Sequence, residues 1–507
     1  MMMAYLAEHP LKIRCVPQFP PMTDRAAWEG LEPADRDDLL ALADAWRGRA
    51  YPLLTAGMYA SFCRTGSRKD CEAPYFGRRV KLIAAAMHVC LTGETRDLSI
   101  VEDGLWLICE ETTWAISAHA DLNAAHPFPD DRRTIIDLFT AQTGMILSFV
   151  CQLLQSVLHP DLYDRVRREV TRRILHPFMT CDDEWWMGFT GRNLCNWTPW
   201  IVSNVMMAAN VWAYDCGRLY PRACGMLDRW LACVPEDGGC DEGTAYWNMA
   251  AGAFLDCLML LEQTADVRLW DVPKVQRMMA YPALMYLGNG WFANFADCDA
   301  RPWLSSERLQ YAGEKTGVDD LVRMGAELRG LPSVEISDTP HLSRLLMRLF
   351  HPVSAVAAGA DDGAILRVLR SNLRKDPTEM AEVLRAQGIP VKDGWLPDLQ
   401  VRLAAGYTIY GGSDGPRLVH TTAAMKGGHN AESHNHNDVG SFVLAVNGQM
   451  QVVDAGNMVY TAKTFSSSRY ELWNCRSVYH NVPVIGGMSS AAASNMPRGT
   501  CRKRSGA

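Results

Sequence analysis

Apolar residues recur at the spacing of amphipathic helices from about Thr23 to Arg348. Leu39, Leu40, Leu42 and Ala43 form one such set, and Ile135, Leu138, Phe139, Thr143, Ile146 and Leu147 form another. Further helices are predicted to run from Pro160, from Trp197 and from Thr244. Breaks rich in Pro and Gly at His126–Pro129, Pro235–Gly239 and Gly288–Gly290 separate them. Helices of roughly 12–20 residues, repeated over this much chain, must bury their apolar faces against one another. They predict stacked antiparallel helix pairs arranged as a toroid or a solenoid, with no fixed-period motif of a known short repeat.

The pattern changes near Trp395. Val401–Ala404, Tyr407–Tyr410, Leu418–Thr421, Ser441–Val446 and Gln449–Asp454 read as short strands. Asn447-Gly448 between the last two signals a type I′ hairpin turn, because both central residues must accept positive φ. The fold class expected is α+β, with a helical domain over residues 1–390 and an antiparallel β domain over 391–487. Residues 488–507 are Ser/Ala-rich, then basic, and carry no strand pattern. They are expected to be a disordered or aberrant tail, leaving the β domain short of the strands that would close a sandwich.

At 507 residues the chain can bury more than one core, and 48% hydrophobic with 21% charged residues is ordinary for a globular protein. A formal net charge of −7 excludes a basic field for nucleic acid, so an acidic ligand would need a local basic or hydrogen-bonding site. No stretch reaches the roughly 20 apolar residues of a membrane span. The first residues carry Glu8, Lys12 and Arg14 and lack the apolar core of a secretory signal. A cytoplasmic protein without membrane or nucleic-acid partners is expected; a homodimer is left open. The 16 cysteines show no CxxC pair and read as small buried apolar residues.

The densest chemistry lies in Gly427-Gly-His-Asn-Ala-Glu-Ser-His-Asn-His-Asn-Asp438. His429, His434 and His436 fall in this run, and Asp454 and His480 follow. His434 and His436 alternate, so an extended segment would point both to one face. Two imidazoles and a carboxylate suit zinc. With the turn at Asn447-Gly448, Asp454 would pair opposite Ser441, and a bulge or loop at Gly440 would be needed to bring His436 to the same face. His434-x-His436-x-Asp438 is also similar to the opening of the metallo-β-lactamase motif, but Val439 stands where that motif has a histidine.

Two further segments stand out. Pro235-Glu-Asp-Gly-Gly-Cys-Asp-Glu-Gly-Thr-Ala-Tyr-Trp247 is an acidic, Gly-rich loop leading into a predicted helix capped near Thr244. Tyr246 would sit in its first turn, either as a core residue or as a phenol placed to move protons. Gly191-Arg-Asn-Leu-Cys-Asn-Trp-Thr-Pro-Trp200 places Asn196 before a helix predicted to begin near Thr198, with Pro199 at its first position. Asn196 would cap that helix or donate its amide to a carboxylate. Trp185, Trp186, Trp197, Trp200 and Trp247 crowd these loops, where tryptophans either pack the core or offer flat platforms to sugar rings.

Together these segments resemble the heparinase II/III-like polysaccharide lyases. The likeness is closest in Glu432-Ser-His-Asn-His-Asn-Asp-Val-Gly-Ser-Phe442, Val453-Asp-Ala-Gly456 and Tyr479-His-Asn481. Asp241-Glu-Gly-Thr-Ala-Tyr-Trp247 and Cys195-Asn-Trp197 support it from the helical part. The resemblance implies an incomplete (α/α) toroid followed by an antiparallel β-sandwich, and β-elimination on uronic-acid polysaccharide. It implies catalytic roles for Asn196, Tyr246 and His434, and zinc ligation by His436, Asp454 and His480. That zinc would be structural, since elimination needs no metal-activated water. Trp197, Trp247, Glu242 and His429 are the expected substrate contacts. Trp197 departs from the pattern, because some members carry a histidine beside or in place of the asparagine. Two other classes remain open. A glycoside hydrolase would need two carboxylates flanking the bond, with Asp241 and Glu242 as candidates. A non-catalytic saccharide-binding protein would need neither.

Overall fold

The computed structural model describes residues 1–130, 132–329, 341–351, 386, 393–396, 401–412, 415–427, 429–430 and 434–483. The chain divides into two compact units, each assembled from separate stretches. The first comprises Met1–Val234, Asn248–Met279 and Ser305–Ser354; the second comprises Pro235–Trp247, Ala280–Leu304 and Ala355–Ala507.

The first unit is an extensive helix bundle. The helix Lys69–Thr92 is buried on every face from Arg78 to Leu91, as expected of an inner helix. Leu138–Leu154, Trp197–Trp212 and Ala251–Ala265 are likewise sheathed in side chains almost all round. Trp197–Trp212 packs against both of the others and against Cys216–Cys233, while Lys69–Thr92 packs against Pro33–Arg47 and Leu98–Cys109. Pro160–Val170 instead carries a polar outer face, with only Val166 and Val170 buried, and starts with Pro at its first turn as the sequence predicts. The periodic sets over 39–43 and 135–147 fall largely in Pro33–Arg47 and Leu138–Leu154.

Inner helices that carry charge must satisfy it internally. Arg79 makes a two-pronged pair with Glu111, at 2.8 Å and 2.6 Å, and its guanidinium lies over the Tyr75 ring. Arg78 reaches the same carboxylate at 3.1 Å. Elsewhere Arg308 forms a buried pair with Asp256 and donates to the Asn248 carbonyl. Cysteines behave as read: those described are all free thiols, and most are buried. No described helix is long and apolar enough to cross a membrane.

The second unit holds a five-stranded antiparallel sheet and a two-stranded ribbon. The ribbon pairs β1, Tyr286–Gly288, with β2, Trp291–Phe292, inside a region expected to be helical. Its turn occupies the Gly288–Gly290 break. The sheet is a meander of β3 (Asp393–Leu396), β4 (Val401–Gly412), β5 (Gly415–Lys426), β6 (Phe442–Val446) and β7 (Gln449–Val452), in that order. The two strands expected over 401–410 are one continuous strand, because the register with β5 runs unbroken through Ala405 and Gly406. Asn447 and Gly448 form the turn between β6 and β7 with φ of +50° and +68°. The β domain was expected to extend to residue 487, but among the described residues the strands stop at Val452, and the chain beyond is loop and turn with short 3-10 segments at Arg469–Glu471, Trp473–Cys475 and Ser477–Tyr479. The stretch from Thr461 to Ser468 is too polar to alternate, and Arg469 takes the Thr464 carbonyl at 2.9 Å. The expected tail over 488–507 lies outside the described residues. So does most of 352–390, where helices were expected to continue.

Replacing Glu111 by Ala would leave Arg79 buried and unpaired. Chemical denaturation followed by helical circular dichroism should show a loss of about 3–5 kcal/mol. Glu94→Ala, which removes an exposed partner of Arg96, should cost less than about 1 kcal/mol by the same measurement.

Candidate functional site

Three separated stretches of the second unit meet around His434. The first is the loop 240–247. The expected helix capped at Thr244 is not formed: Thr244–Asn248 is a short 3-10 turn, and the α-helix begins at Ala251. Ala250, at φ −105° and ψ −90°, breaks the continuity. Gly243 explains the local shape. Its φ of +101° suits glycine, and a Cβ there would stand 2.8 Å from the Phe295 carbonyl and 2.9 Å from Cys298 Cβ. The loop is thus pressed onto the second stretch, 294–298, and Tyr246 is set by that contact and not by a helical face.

The third stretch is the loop between β5 and β6. Its ends are fastened by Lys426 N–H to Ser441 O and Gly440 N–H to Lys426 O, at 2.9 Å and 2.8 Å. The Lys426 ammonium and the Asp438 carboxylate form a buried pair at 2.9 Å across the same base. Gly440 has φ +94°, in keeping with the realignment expected there, and a further register shift lies in β7 opposite Leu444 and Ala445. Arg469, itself buried, clamps the loop by donating to the carbonyls of His434 and Asn435 at 2.8 Å and 3.0 Å, and to that of Thr464.

His434 itself adopts φ +53°, a strained conformation for a side chain of its size. Its Nδ1 lies 2.6 Å from Asp297 Oδ2 and its Nε2 lies 3.3 Å from Glu242 Oε2. The Tyr246 ring stands edge-on, 4.6 Å away between centroids. Tyr246 Oη is 2.6 Å from Tyr460 Oη, which lies 3.0 Å from Asp297 Oδ2. Burial pushes the Asp297 carboxyl up, but its bonds to His434 and His436 and the nearby Arg469 hold it well below the usual carboxylate range. Asp297 is therefore ionised and accepts from both of these groups. Since Tyr460 gives its one proton to Asp297, Tyr246 donates to Tyr460, forming a chain of hydroxyls that ends on the carboxylate. Burial, with Tyr246 and Asp297 beside it, raises the Tyr460 phenol far above its ordinary value, so it keeps its proton. For His434, burial favours the neutral ring, yet the bond to Asp297 and the charge of Glu242 outweigh it and raise the imidazolium pKa.

His436, Asp454 and His480 also converge. All three are buried, and one ligand atom from each lies within 4.8 Å of the others. His436 directs Nε2 to Asp297 Oδ1 at 2.8 Å, which leaves Nδ1 buried with no hydrogen-bond partner among the described residues. His480 Nδ1 lies 2.8 Å from Asp454 Oδ1, and Ser441 Oγ donates to Asp454 Oδ2. Asn294 pairs its amide with the backbone of Asp454, at 3.1 Å and 3.2 Å. Two imidazoles and a carboxylate, each imidazole with one buried ring nitrogen that has no hydrogen-bond partner among the described residues, fit a bound metal ion.

The remaining expected residues are distributed differently. Glu242 is buried beside His434, as described, while His429 is exposed on the β5–β6 loop. Trp247 is 1% exposed and leaves no face for a sugar ring; Trp186 and Trp200 are buried too. Large aromatic rings near loops are drawn into whatever core is adjacent, and sequence proximity does not reveal which way they turn. Asn196 and Trp197 belong to the first unit. The helix there begins at Trp197, so Pro199 is its third residue, and Asn196 occupies the capping position without making a side-chain cap. Trp197 is half-buried, between His119 and Trp185 at 4.7 Å and 5.2 Å. Asp297, Tyr460 and Arg469 were not anticipated from sequence, nor was the pair His119–Asp137 at 2.8 Å beneath Trp197.

Residues 397–505 match the family model for the heparinase II/III-like C-terminal region. This part of the chain is similar to the heparinase II/III-like family over its C-terminal region. Among solved structures, a heparinase III gene product is 14% identical, with 92% of this chain and 68% of that one covered and a TM-score of 0.45. A form of it with methylated lysines is 13% identical, with 88% and 66% covered and a TM-score of 0.42. The chain thus spans about two thirds of the length of these heparinase III structures. No curated protein matches it.

If the three buried ligands hold a metal ion, elemental analysis of the purified protein should find about one per chain, and His436→Ala should lose it together with thermal stability. Full metal retention in that variant would refute the assignment.

Proposed function

We propose that this heparinase II/III-like chain is a polysaccharide lyase that cleaves uronic-acid-containing glycans by β-elimination. The observation that carries the reading is the pairing of a phenol and an imidazole, Tyr246 and His434, with their rings 4.6 Å apart, His434 bonded to Asp297 directly and Tyr246 linked to it through Tyr460. The match of residues 397–505 to the heparinase II/III-like C-terminal model supports it. The architecture proposed with it is an incomplete (α/α) toroid in the helical unit and a β-sandwich that includes the five-stranded sheet.

In the reaction, the C5 proton of a uronate is removed, the electron pair forms a C4–C5 double bond, and the C4–O4 bond breaks. The proton is returned to the departing O4. The hard step is the charge that builds on the uronate carboxylate, so donors directed there matter most. Asn196 is the proposed amide donor, uncommitted to capping its own helix. His434 neutralises that carboxylate or takes the C5 proton, according to the C5 configuration of the sugar. Tyr246, hydrogen-bonded to Tyr460, supplies the proton to O4, or both takes and gives it. Glu242 and His429 contact the substrate, and Trp197 offers it an aromatic face. His436, Asp454 and His480 are proposed to hold zinc, which when bound would cross-link the β region and leave the proton transfers to the side chains. The partner is an acidic poly- or oligosaccharide.

Incubation with a panel of uronate polymers should yield a 4,5-unsaturated product, read by the ultraviolet absorbance of its conjugated double bond. New reducing ends without that absorbance would favour hydrolysis instead. Tyr246→Phe removes the hydroxyl and keeps the ring, and should lower turnover by ~10²-fold or more with folding intact. Near-normal elimination by that variant would make Tyr246 a packing residue and sink the mechanism.

A further inference from the structure

Asp297 is engaged by more groups than any simple buried ion pair requires. Its Oδ2 accepts from His434 Nδ1 at 2.6 Å and Tyr460 Oη at 3.0 Å, and its Oδ1 accepts from His436 Nε2 at 2.8 Å and Arg469 Nη2 at 2.9 Å. A carboxylate offers about four lone-pair sites, so every site is taken. Asp297 therefore has no lone pair left to bind a metal or to receive a substrate proton. What it can do is choose which nitrogen of each imidazole carries hydrogen. The two histidines approach it by different nitrogens: His434 by Nδ1, His436 by Nε2. The working atoms left over are consequently different too. His434 keeps Nε2, which faces Glu242 at 3.3 Å. His436 keeps Nδ1, the buried atom with no partner among the described residues.

The backbone shows that this arrangement is imposed. His434 and Ala296 both have positive φ, +53° and +58°, and the Cys298 N–H bonds back to the Ala296 carbonyl at 2.8 Å, making a tight turn centred on Asp297. Three residues earlier, Asn294 grips the backbone of Asp454. One short segment, Asn294–Asp297, thus touches the candidate proton-transfer histidine and two of the three candidate metal ligands.

We propose that Asp297 is a positioning residue that fixes opposite tautomers in two histidines two places apart, Nδ1–H in His434 and Nε2–H in His436, and so couples the proton-transfer site to the metal centre. This rests on the roles given to His434 and His436 above. The consequence is that a disturbance on the metal side is felt as a misplaced proton on the catalytic side, through one carboxylate.

The test is nitrogen NMR of the full chain labelled in histidine, without substrate and at a pH alkaline enough for neutral rings. Signals are assigned by their loss in His434→Gln and His436→Gln. The expected wild-type result is a proton on Nδ1 of His434 and on Nε2 of His436. Asp297→Asn keeps the size but offers an acceptor on one side and a donor on the other, so at least one ring should change or mix tautomer. Its kcat should fall about 10–100-fold, with KM changed by less than about threefold. A wild-type His434 protonated on Nε2 overturns the proposal whether or not the Asn variant folds. So does a folded Asp297→Asn in which both tautomers are unchanged. If the tautomers are as stated but no uronate polymer yields unsaturated product, the positioning role stands and the lyase reading falls.

Discussion

A carboxylate can be taken out of water only if its charge and its lone pairs are met, and in the second unit that condition organises everything near Asp297. Its four donors come from residues 434, 436, 460 and 469, between 137 and 172 positions further along the chain. To deliver them, the chain accepts positive φ at Ala296 and His434, which cost energy unless the surroundings fix them. Neighbouring close approaches follow from the same demand. Gly243 lets the 240–247 loop lie against Phe295 and Cys298, and Gly456 lets the segment after β7 pass the Cys298 carbonyl, where a Cβ would stand only 2.7 Å away. The glycines are where they are because two backbones must touch around a buried charge.

The sheet serves that cluster by holding its loop. The β5–β6 connection leaves and rejoins the meander between Lys426 and Ser441, with Lys426 paired to Asp438 inside it. Breaking such a buried pair by removing one partner is costly, because the other is left charged and dry. The loop is therefore anchored at its base by charge and at its tip by Arg469. On the far side of β6, the Asn447-Gly448 turn rests against Asn289 of the small ribbon, whose amide reaches the Gly448 carbonyl at 3.2 Å. The ribbon was unexpected in a helical stretch, yet it belongs to the same unit as the site. It is joined by sequence to the Asn294–Asp297 segment it helps to place.

What could be read before the structure tracks the range over which each interaction is decided. Asn447-Gly448 is legible because a type I′ turn makes its demand on two adjacent residues. The inner helices are legible because burial repeats every three or four positions. His434, His436, Asp454 and His480 stand out because histidines are scarce here and cluster. Asp297 is invisible by the same standard. Asn294-Phe-Ala-Asp-Cys298 has no periodicity and no motif, and the contacts that give Asp297 its place span 137 and 139 positions. Tyr246 was singled out for the wrong local reason: a helix capped at Thr244 would have aimed it, but a 3-10 turn pressed on a neighbouring loop does so instead. Trp247, one residue on, points into the interior, which no pattern in a loop could have revealed.

The two tyrosines and the two histidines differ in what Asp297 leaves each of them. Tyr460 must spend its proton on the carboxylate, and burial keeps that proton in place, so it cannot act as a base. Tyr246 has its hydroxyl hydrogen directed at Tyr460, and any ligand that competes for that hydrogen meets a phenol already supported from behind. His434 is held by Nδ1 and turns Nε2 toward Glu242, whereas His436 is held by the opposite nitrogen and turns Nδ1 away into the buried cluster. A pair of histidines at alternating positions would ordinarily be interchangeable in chemistry. Here a single acceptor, reached by different ring atoms, leaves Nε2 of one facing Glu242 and Nδ1 of the other in the buried cluster with Asp454 and His480. The distinction lies in geometry and not in residue type, which is why the motif alone could not assign it.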